Sequence, residues 1–168
     1  MDEVNLGLLF LRVTVGLTFA SHGWAKVFRG GRLPGTARWF DSMGMRPGWL
    51  HARVAASLEM ASGVLLALGL VTPFAAAAIV GLMTVAGWTV HRPNGFFSVR
   101  DGWEFNWVLA VTAVGVATTG PGEWSVDEAL GIADDLDGAA GLALAAGLGV
   151  VGAVVHLAAF WRPAATEP

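Results

Sequence analysis

Two side chains of opposite charge interrupt apolar segments that are long enough to cross a membrane. Arg12 lies in the first of these segments and Glu59 lies in the second. A charged side chain at the centre of a bilayer costs roughly 2.5–3.5 kcal/mol, so such residues face other helices and find partners. In an antiparallel pair the two differ in depth by about 9 Å at 1.5 Å per residue. We therefore predict an Arg12–Glu59 pair, either a structural ion pair or part of a proton or ligand site at the membrane midplane.

A second polar group falls at the ends of the apolar segments, on one predicted side of the membrane. Its members are His22, Lys26, His91, Asn94 and Glu104. We predict that they surround one opening suited to a polar head group, such as the carbonyl of a quinone. Together with Arg12 and Glu59 they form the predicted ligand-binding set, and Glu59 and His22 are the candidates for catalysis. The alternative is that each is an interface residue in contact with lipid head groups.

Other cofactors are less well supported by the residue types. Histidine is a common axial ligand of haem, but the spacing of His22, His91 and His156 does not set two of them across a haem. No HxxxH pair is present, so no metal site is predicted. The chain has no cysteine, which excludes disulfides, thiolate clusters and a cysteine nucleophile. A GxGxxG string at 147–152 lies inside an apolar segment without a preceding strand, which favours helix packing over dinucleotide binding.

The elements that must position these residues are predicted to be membrane helices. Hydrophobic residues make up 55% of the 168-residue chain and charged residues 14%, against roughly 25% charged residues in a soluble domain. The net charge of −3 excludes a basic nucleic-acid binder. A membrane-spanning helix needs about 20 mostly apolar residues, and the chain contains five stretches of about this length. The predicted fold is therefore an all-α polytopic membrane bundle. The predicted spans are 5–25, 52–71, 74–90, 102–120 and 139–161, with an interfacial helix at 36–43.

The placement of Lys and Arg predicts the orientation of these spans. Nine of the ten basic residues fall on one side, whereas the N-terminus and the loop 120–138 carry acids such as Asp127. Because basic loops stay in the cytoplasm, we expect a plasma-membrane protein with its N-terminus outside and its C-terminus inside. The nine are Lys26, Arg29, Arg32, Arg38, Arg46, Arg53, Arg92, Arg100 and Arg162.

The fifth span carries a face of small residues that suits close helix contact. This face consists of Gly141, Ala145, Gly149, Gly152 and His156. Small residues let backbones approach each other inside a membrane. The face is therefore expected to pack within the chain, or against a protein partner or a second copy of the chain.

Several motifs, in order between about Leu6 and Leu130, resemble the DoxX family of small membrane proteins. The resemblance implies a four-helix membrane domain over 1–130, to which 139–161 adds a further transmembrane helix. The matching residues are Leu11, Arg12, Gly16, Phe19, His22, Gly23, Lys26, Glu59, Gly63 and the segments 66–72, 94–97, 102–104 and 120–127. Arg12, His22, Lys26, Glu59, Asn94 and Glu104 form the polar set that the resemblance carries over, without assigning a role to any of them.

The resemblance also implies a redox-associated role. Members of the family include the membrane subunit of a thiosulfate:quinone oxidoreductase, and others form complexes with superoxide dismutase and a sulfurtransferase. Two hypotheses follow: a membrane subunit of a quinone-linked oxidoreductase, or a non-catalytic scaffold that anchors a soluble redox partner. A small transporter is less favoured, because the sequence shows no inverted repeat and no matched pair of broken spans.

Overall fold

The computed structural model describes residues 2–163, which form a helical bundle without a β-strand. The first half contains four helices and the turns that extend the last of them. These elements are α1 (Asp2–Phe28), α2 (Arg32–Ser42), α3 (Gly48–Leu68) and α4 (Thr72–Ala86), which continues through a π-helical turn (Gly87–His91) and a 3-10 turn (Arg92–Asn94).

The second half contains one long helix, a loop with short helical turns, and a final long helix. Its elements are a 3-10 turn (Ser98–Arg100), α5 (Glu104–Thr119), α6 (Val126–Ala129), α7 (Ala133–Leu136), α8 (Gly138–Leu142), a π-helical turn (Ala143–Leu148) and α9 (Gly149–Phe160). The last three are continuous, and we call them together the C-terminal helix, Gly138–Phe160. The main apolar core lies where α1, α3, α4 and α5 meet, around Phe19, Leu66, Ile79 and Val116.

The predicted all-α membrane bundle is confirmed. By length and composition, α1, the helix Thr72–Asn94 and the C-terminal helix could each cross a membrane. The other two predicted spans coincide with α3, which carries charged residues, and with α5, which has 16 residues. Helix α2 begins before its predicted start at 36, because Pro34 stands in its first turn, where a missing N–H costs no hydrogen bond.

Helices α1 and α3 approach each other at glycines. A Cβ atom on Gly16 would collide with the backbone of Gly63 and Ala67, and a Cβ on Gly63 would collide with the backbone of Gly16 and Ala20. Neither helix can move away without opening the core. This close contact sets the distance between the two helices that carry the candidate site.

Replacing Gly16 with leucine is expected to lower the free energy of unfolding by about 2 kcal/mol or more, because the side chain would meet backbone that cannot yield. The matched control is Gly7→Leu on the same helix, where nothing lies within 4 Å of an added Cβ. Thermal unfolding of both variants in one detergent compares them. Equal losses from the two substitutions would show that α1 does not contact α3 at Gly16.

Candidate functional site

A buried ion pair joins α1 to α3. Lys26 Nζ donates hydrogen bonds to both carboxylate oxygens of Glu59, at 2.8 Å and 2.6 Å. The side chain of Glu59 is 8% exposed and that of Lys26 is 22% exposed. Gly23 lies one turn before Lys26, and an added Cβ there would lie 2.9 Å from Glu59 Cβ. The glycine therefore lets α1 approach closely enough for the lysine to reach the carboxylate.

The predicted Arg12–Glu59 pair is wrong. Arg12 is buried, and its guanidinium donates hydrogen bonds to the carbonyl oxygens of Ala67 and Trp124. Ala67 lies in the last turn of α3, where carbonyl groups have no partner within the helix. Arg12 therefore binds the end of α3. Glu59 lies about two turns earlier in α3, where Lys26 binds it.

The loop that supplies Trp124 is held by a fully buried carboxylate. Asp127 accepts hydrogen bonds from the backbone N–H of Val71 at 2.7 Å, from the N–H of Thr72 at 2.9 Å and from the Thr72 hydroxyl at 2.7 Å. It thus caps the N-terminus of α4, where free N–H groups and the helix dipole favour a negative charge. From the charge pattern alone, Asp127 is only one of several acids in the predicted outer loop. Its role as a cap could not be predicted, because two of its three donors are backbone N–H groups, which the residue types do not reveal.

An apolar cavity of about 360 Å³ contains the Lys26–Glu59 pair in its wall. The cavity is lined by α3, α4 and the C-terminal helix, with residues of α2 also contributing. Gly81 and Gly149 lie in the wall, where α4 and the C-terminal helix run close together. Most of the remaining lining is aliphatic. The cavity therefore suits a ligand with a large apolar body and a polar group that meets the ion pair.

Two histidines line the same cavity. The rings of His51, on α3, and His156, on the C-terminal helix, lie with their centroids 5.0 Å apart and nearly perpendicular. His51 is 2% exposed, and neither of its ring nitrogens has a hydrogen-bond partner among the described residues. Sequence reasoning missed His51, although the four-residue spacing from His51 through Ala55 to Glu59 places these residues on one helix face.

The other predicted site residues do not surround this cavity. His22 is exposed, with its ring 6.0 Å from that of Phe105. His91 and Asn94 both donate to the carbonyl of Asp101, at 2.6 Å and 3.3 Å. The structure thus does not bring the five predicted residues of the opening together. His91 and Asn94 instead bind the backbone of the segment that leads into α5.

Glu104, too, binds neighbouring residues of the chain and does not line the cavity. Its carboxylate accepts hydrogen bonds from the N–H of Ser98 at 2.9 Å and from the Ser98 hydroxyl at 2.7 Å. Glu104 is the first residue of α5, and Ser98 begins the preceding 3-10 turn. The contact therefore ties the start of α5 to the turn before it.

The small-residue face of the C-terminal helix packs within the chain. Of the predicted face, Gly141, Ala145 and Gly149 are buried, whereas Gly152 is exposed and its neighbour Ala153 is buried instead. An added Cβ on Gly141 would collide with the Ala117 carbonyl of α5. Of the GxGxxG glycines only Gly149 is packed closely, because nothing lies within 4 Å of a Cβ on the other two. The face thus secures the helix that closes the cavity, and an additional partner at this helix stays a prediction.

Comparisons with known proteins give the chain its family. The DoxX family matches residues 7–92, about half of the chain. "Putative oxidoreductase CatD" of Bacillus subtilis is 34% identical over 116 residues, which cover 69% of this chain and 81% of that protein. "Uncharacterized membrane protein Rv3486" of Mycobacterium tuberculosis is 28% identical over 133 residues, 73% of this chain and 80% of that protein. No solved structure matches the chain. The chain belongs to the DoxX family of membrane proteins.

Proposed function

We propose that this chain is the membrane subunit of a quinone-linked redox complex and that the quinone head group binds beside Lys26 and Glu59. The observation that carries the proposal is the buried ion pair in the wall of an otherwise apolar cavity. A redox-associated role also agrees with the family and with the name of the Bacillus subtilis relative.

The chemistry of a quinone matches the two kinds of surface in the cavity. The apolar ring and tail would lie against the aliphatic lining, where their burial is favourable. Lys26 would donate a hydrogen bond to a quinone carbonyl, and Glu59 would hold and transfer a proton. Reduction to the quinol takes up two electrons and two protons, and the electrons would come from a redox partner protein of the complex.

The proposal includes the topology that the basic residues indicate. With the N-terminus outside and the C-terminus inside the plasma membrane, Lys26 lies near the cytoplasmic end of α1 and α2 lies at the inner leaflet. Residues 1–130 would form the DoxX-like domain, and 139–161 would be an added helix that supplies one wall of the cavity. Protons would then reach Glu59 from the cytoplasmic side, through the partly exposed Lys26.

Native mass spectrometry of the protein released gently from its own membrane tests the proposal. We expect the wild-type chain to carry a quinone and Glu59→Gln to weaken its binding by roughly tenfold or more. Glu59 holds the Lys26 ammonium that would donate to the quinone carbonyl, and a hydrogen bond from a charged group contributes about 1.5–3 kcal/mol. Arg53→Met is the control and should retain the quinone, since Arg53 is exposed on α3 and lies outside the cavity lining. Absence of quinone from the wild-type chain, or equal retention by Glu59→Gln, would contradict the proposal.

The second candidate is the scaffold, and one surface favours it. Arg29, Arg32 and Arg38 are exposed around the end of α1 and on α2, where they could hold an acidic partner. The same mass spectra distinguish the two functions. A stoichiometric soluble protein, no quinone, loss of that protein on reversing the three charges and no effect of Glu59→Gln would identify the scaffold.

A further inference from the structure

One part of the cavity carries a set of soft donor atoms that quinone binding does not use. Met43, Met45, His51 and His156 all line it. The backbone holds them near one another, because Trp161 Nε1 donates to the Met43 carbonyl at 3.1 Å and Met45 forms a bridge with Trp161. Trp161 ends the helix that carries His156. His51, His156 and the two methionines therefore line the cavity where the chain segment before α3 touches the end of the C-terminal helix.

His51 lacks a partner that its burial requires. A polar group left without a hydrogen bond inside a protein costs about 1–3 kcal/mol. Both ring nitrogens of His51 are in this condition among the described residues. Of the three rings around it, those of Phe40 and Phe160 offer no lone pair, and the third is the imidazole of His156. Because His51 lines the cavity, a group bound there beside His156 would satisfy it.

The arrangement of the two imidazoles suits a shared metal ion. Nitrogen ligands lie about 2 Å from a bound metal ion, and two of them at a tetrahedral angle put the ring centres roughly 5 Å apart. The observed separation is 5.0 Å. The two rings do not hydrogen-bond to each other, because neither nitrogen of His51 has a partner among the described residues.

The charge and softness of the donors select the ion. All four are neutral donors in a site where Glu59, the one carboxylate in the described lining, is already bound by Lys26. The cost of burying an ion rises with the square of its charge, so a divalent ion would cost about four times as much as a monovalent one. Thioethers select Cu(I), which imidazole also binds. We infer that His51, His156 and Met45, with Met43 beside them, bind one Cu(I) ion.

Residues 2–163 contain no group of three or more histidine and carboxylate side chains placed to hold a metal. The inference thus depends on the thioethers, and it separates Cu(I) from zinc, which thioethers do not favour. Copper binding here is independent of the quinone proposal, because it uses neither Lys26 nor Glu59.

Oxygen-free titration of the purified full-length chain with Cu(I), against bicinchoninate as a coloured competitor, tests the inference. We expect one Cu(I) per chain, and we expect His51→Phe and His156→Phe each to weaken binding by roughly 100-fold. Losing a residue that only orients a metal ligand already weakens metal binding by about 10–100-fold, and here the ligand itself is lost. Phenylalanine keeps the aromatic contacts with Phe160. His22→Phe, an exposed histidine on α1, is the control and should bind as the wild-type chain does.

X-ray absorption at the copper edge of the wild-type chain tests the donor set without any variant. Two nitrogen neighbours and at least one sulfur neighbour are expected, and Met45→Leu should lower the sulfur contribution. Glu59→Gln should leave copper binding unchanged, which separates this site from quinone binding. Failure to bind Cu(I), equal binding by His156→Phe, a spectrum without sulfur, or preference for Zn(II) would each overturn the inference.

Discussion

Replacing Asp127 with alanine is expected to lower the free energy of unfolding by about 3–5 kcal/mol, as for other buried charged partners. The carboxylate is fully buried and accepts three hydrogen bonds at the start of α4. Alanine would leave the N–H groups of Val71 and Thr72 without acceptors inside the protein. It would also free the loop whose Trp124 carbonyl binds Arg12.

Unfolding of purified variants in one detergent, followed by tryptophan fluorescence, measures this loss. Asp134→Ala is the control, because Asp134 is an exposed acid on the same loop; it should change stability by less than about 0.5 kcal/mol. Asp127→Asn should fall between the two, since one amide oxygen can accept some of the hydrogen bonds. A loss of less than about 1 kcal/mol in Asp127→Ala would show that the loop does not need this cap.

The loop that Asp127 holds also accounts for the burial of Arg12, whose guanidinium binds backbone carbonyls. Gly69 ends α3 with a φ of 63°, and an added Cβ there would lie 2.6 Å from Ser125 Cβ and 3.2 Å from the Arg12 guanidinium. The turn between α3 and α4 is thus pressed against the loop 120–137 and fixed by Arg12 on one side and Asp127 on the other. This fixes α3 against α4, and both helices line the cavity.

The architecture could be predicted from the sequence because it depends on the length of apolar segments. Each of the five predicted spans overlaps a helix or a continuous helical run, and Pro73 stands in the first turn of α4, at the helix start that it predicts. The partner of Arg12 could not be predicted in the same way. Its acceptors are backbone carbonyls, which every residue carries, so residue types alone suggested the nearest buried carboxylate instead.

The cavity was partly predictable. Lys26 and Glu59 stand out because charges in apolar helices need partners, and both line the cavity. His51 and His156 are separated by more than a hundred residues, and only the docking of the C-terminal helix on α4 brings their rings together. The small-residue face indicated that this helix packs closely, but not which helix receives it, and that choice decides what the cavity contains.

The ion pair should show strong coupling in a double-mutant cycle. Lys26→Met is expected to cost about 3–5 kcal/mol, because it leaves Glu59 charged and buried without a partner. Glu59→Gln should cost less, since Lys26 is partly exposed and its ammonium can turn toward water. The double variant, Lys26→Met with Glu59→Gln, should be more stable than Lys26→Met alone, because it contains no stranded charge.

Unfolding and quinone content of the same three variants separate architecture from function. Arg53→Met, an exposed cation on α3, is the control and should change neither property. If the double variant regains stability but still lacks quinone, the ion pair is needed for ligand binding and not for folding. Additive losses in the cycle would instead show that the two side chains do not interact in the folded chain. A stable double variant that keeps its quinone would place the head group elsewhere in the cavity and leave the pair as a structural contact between α1 and α3.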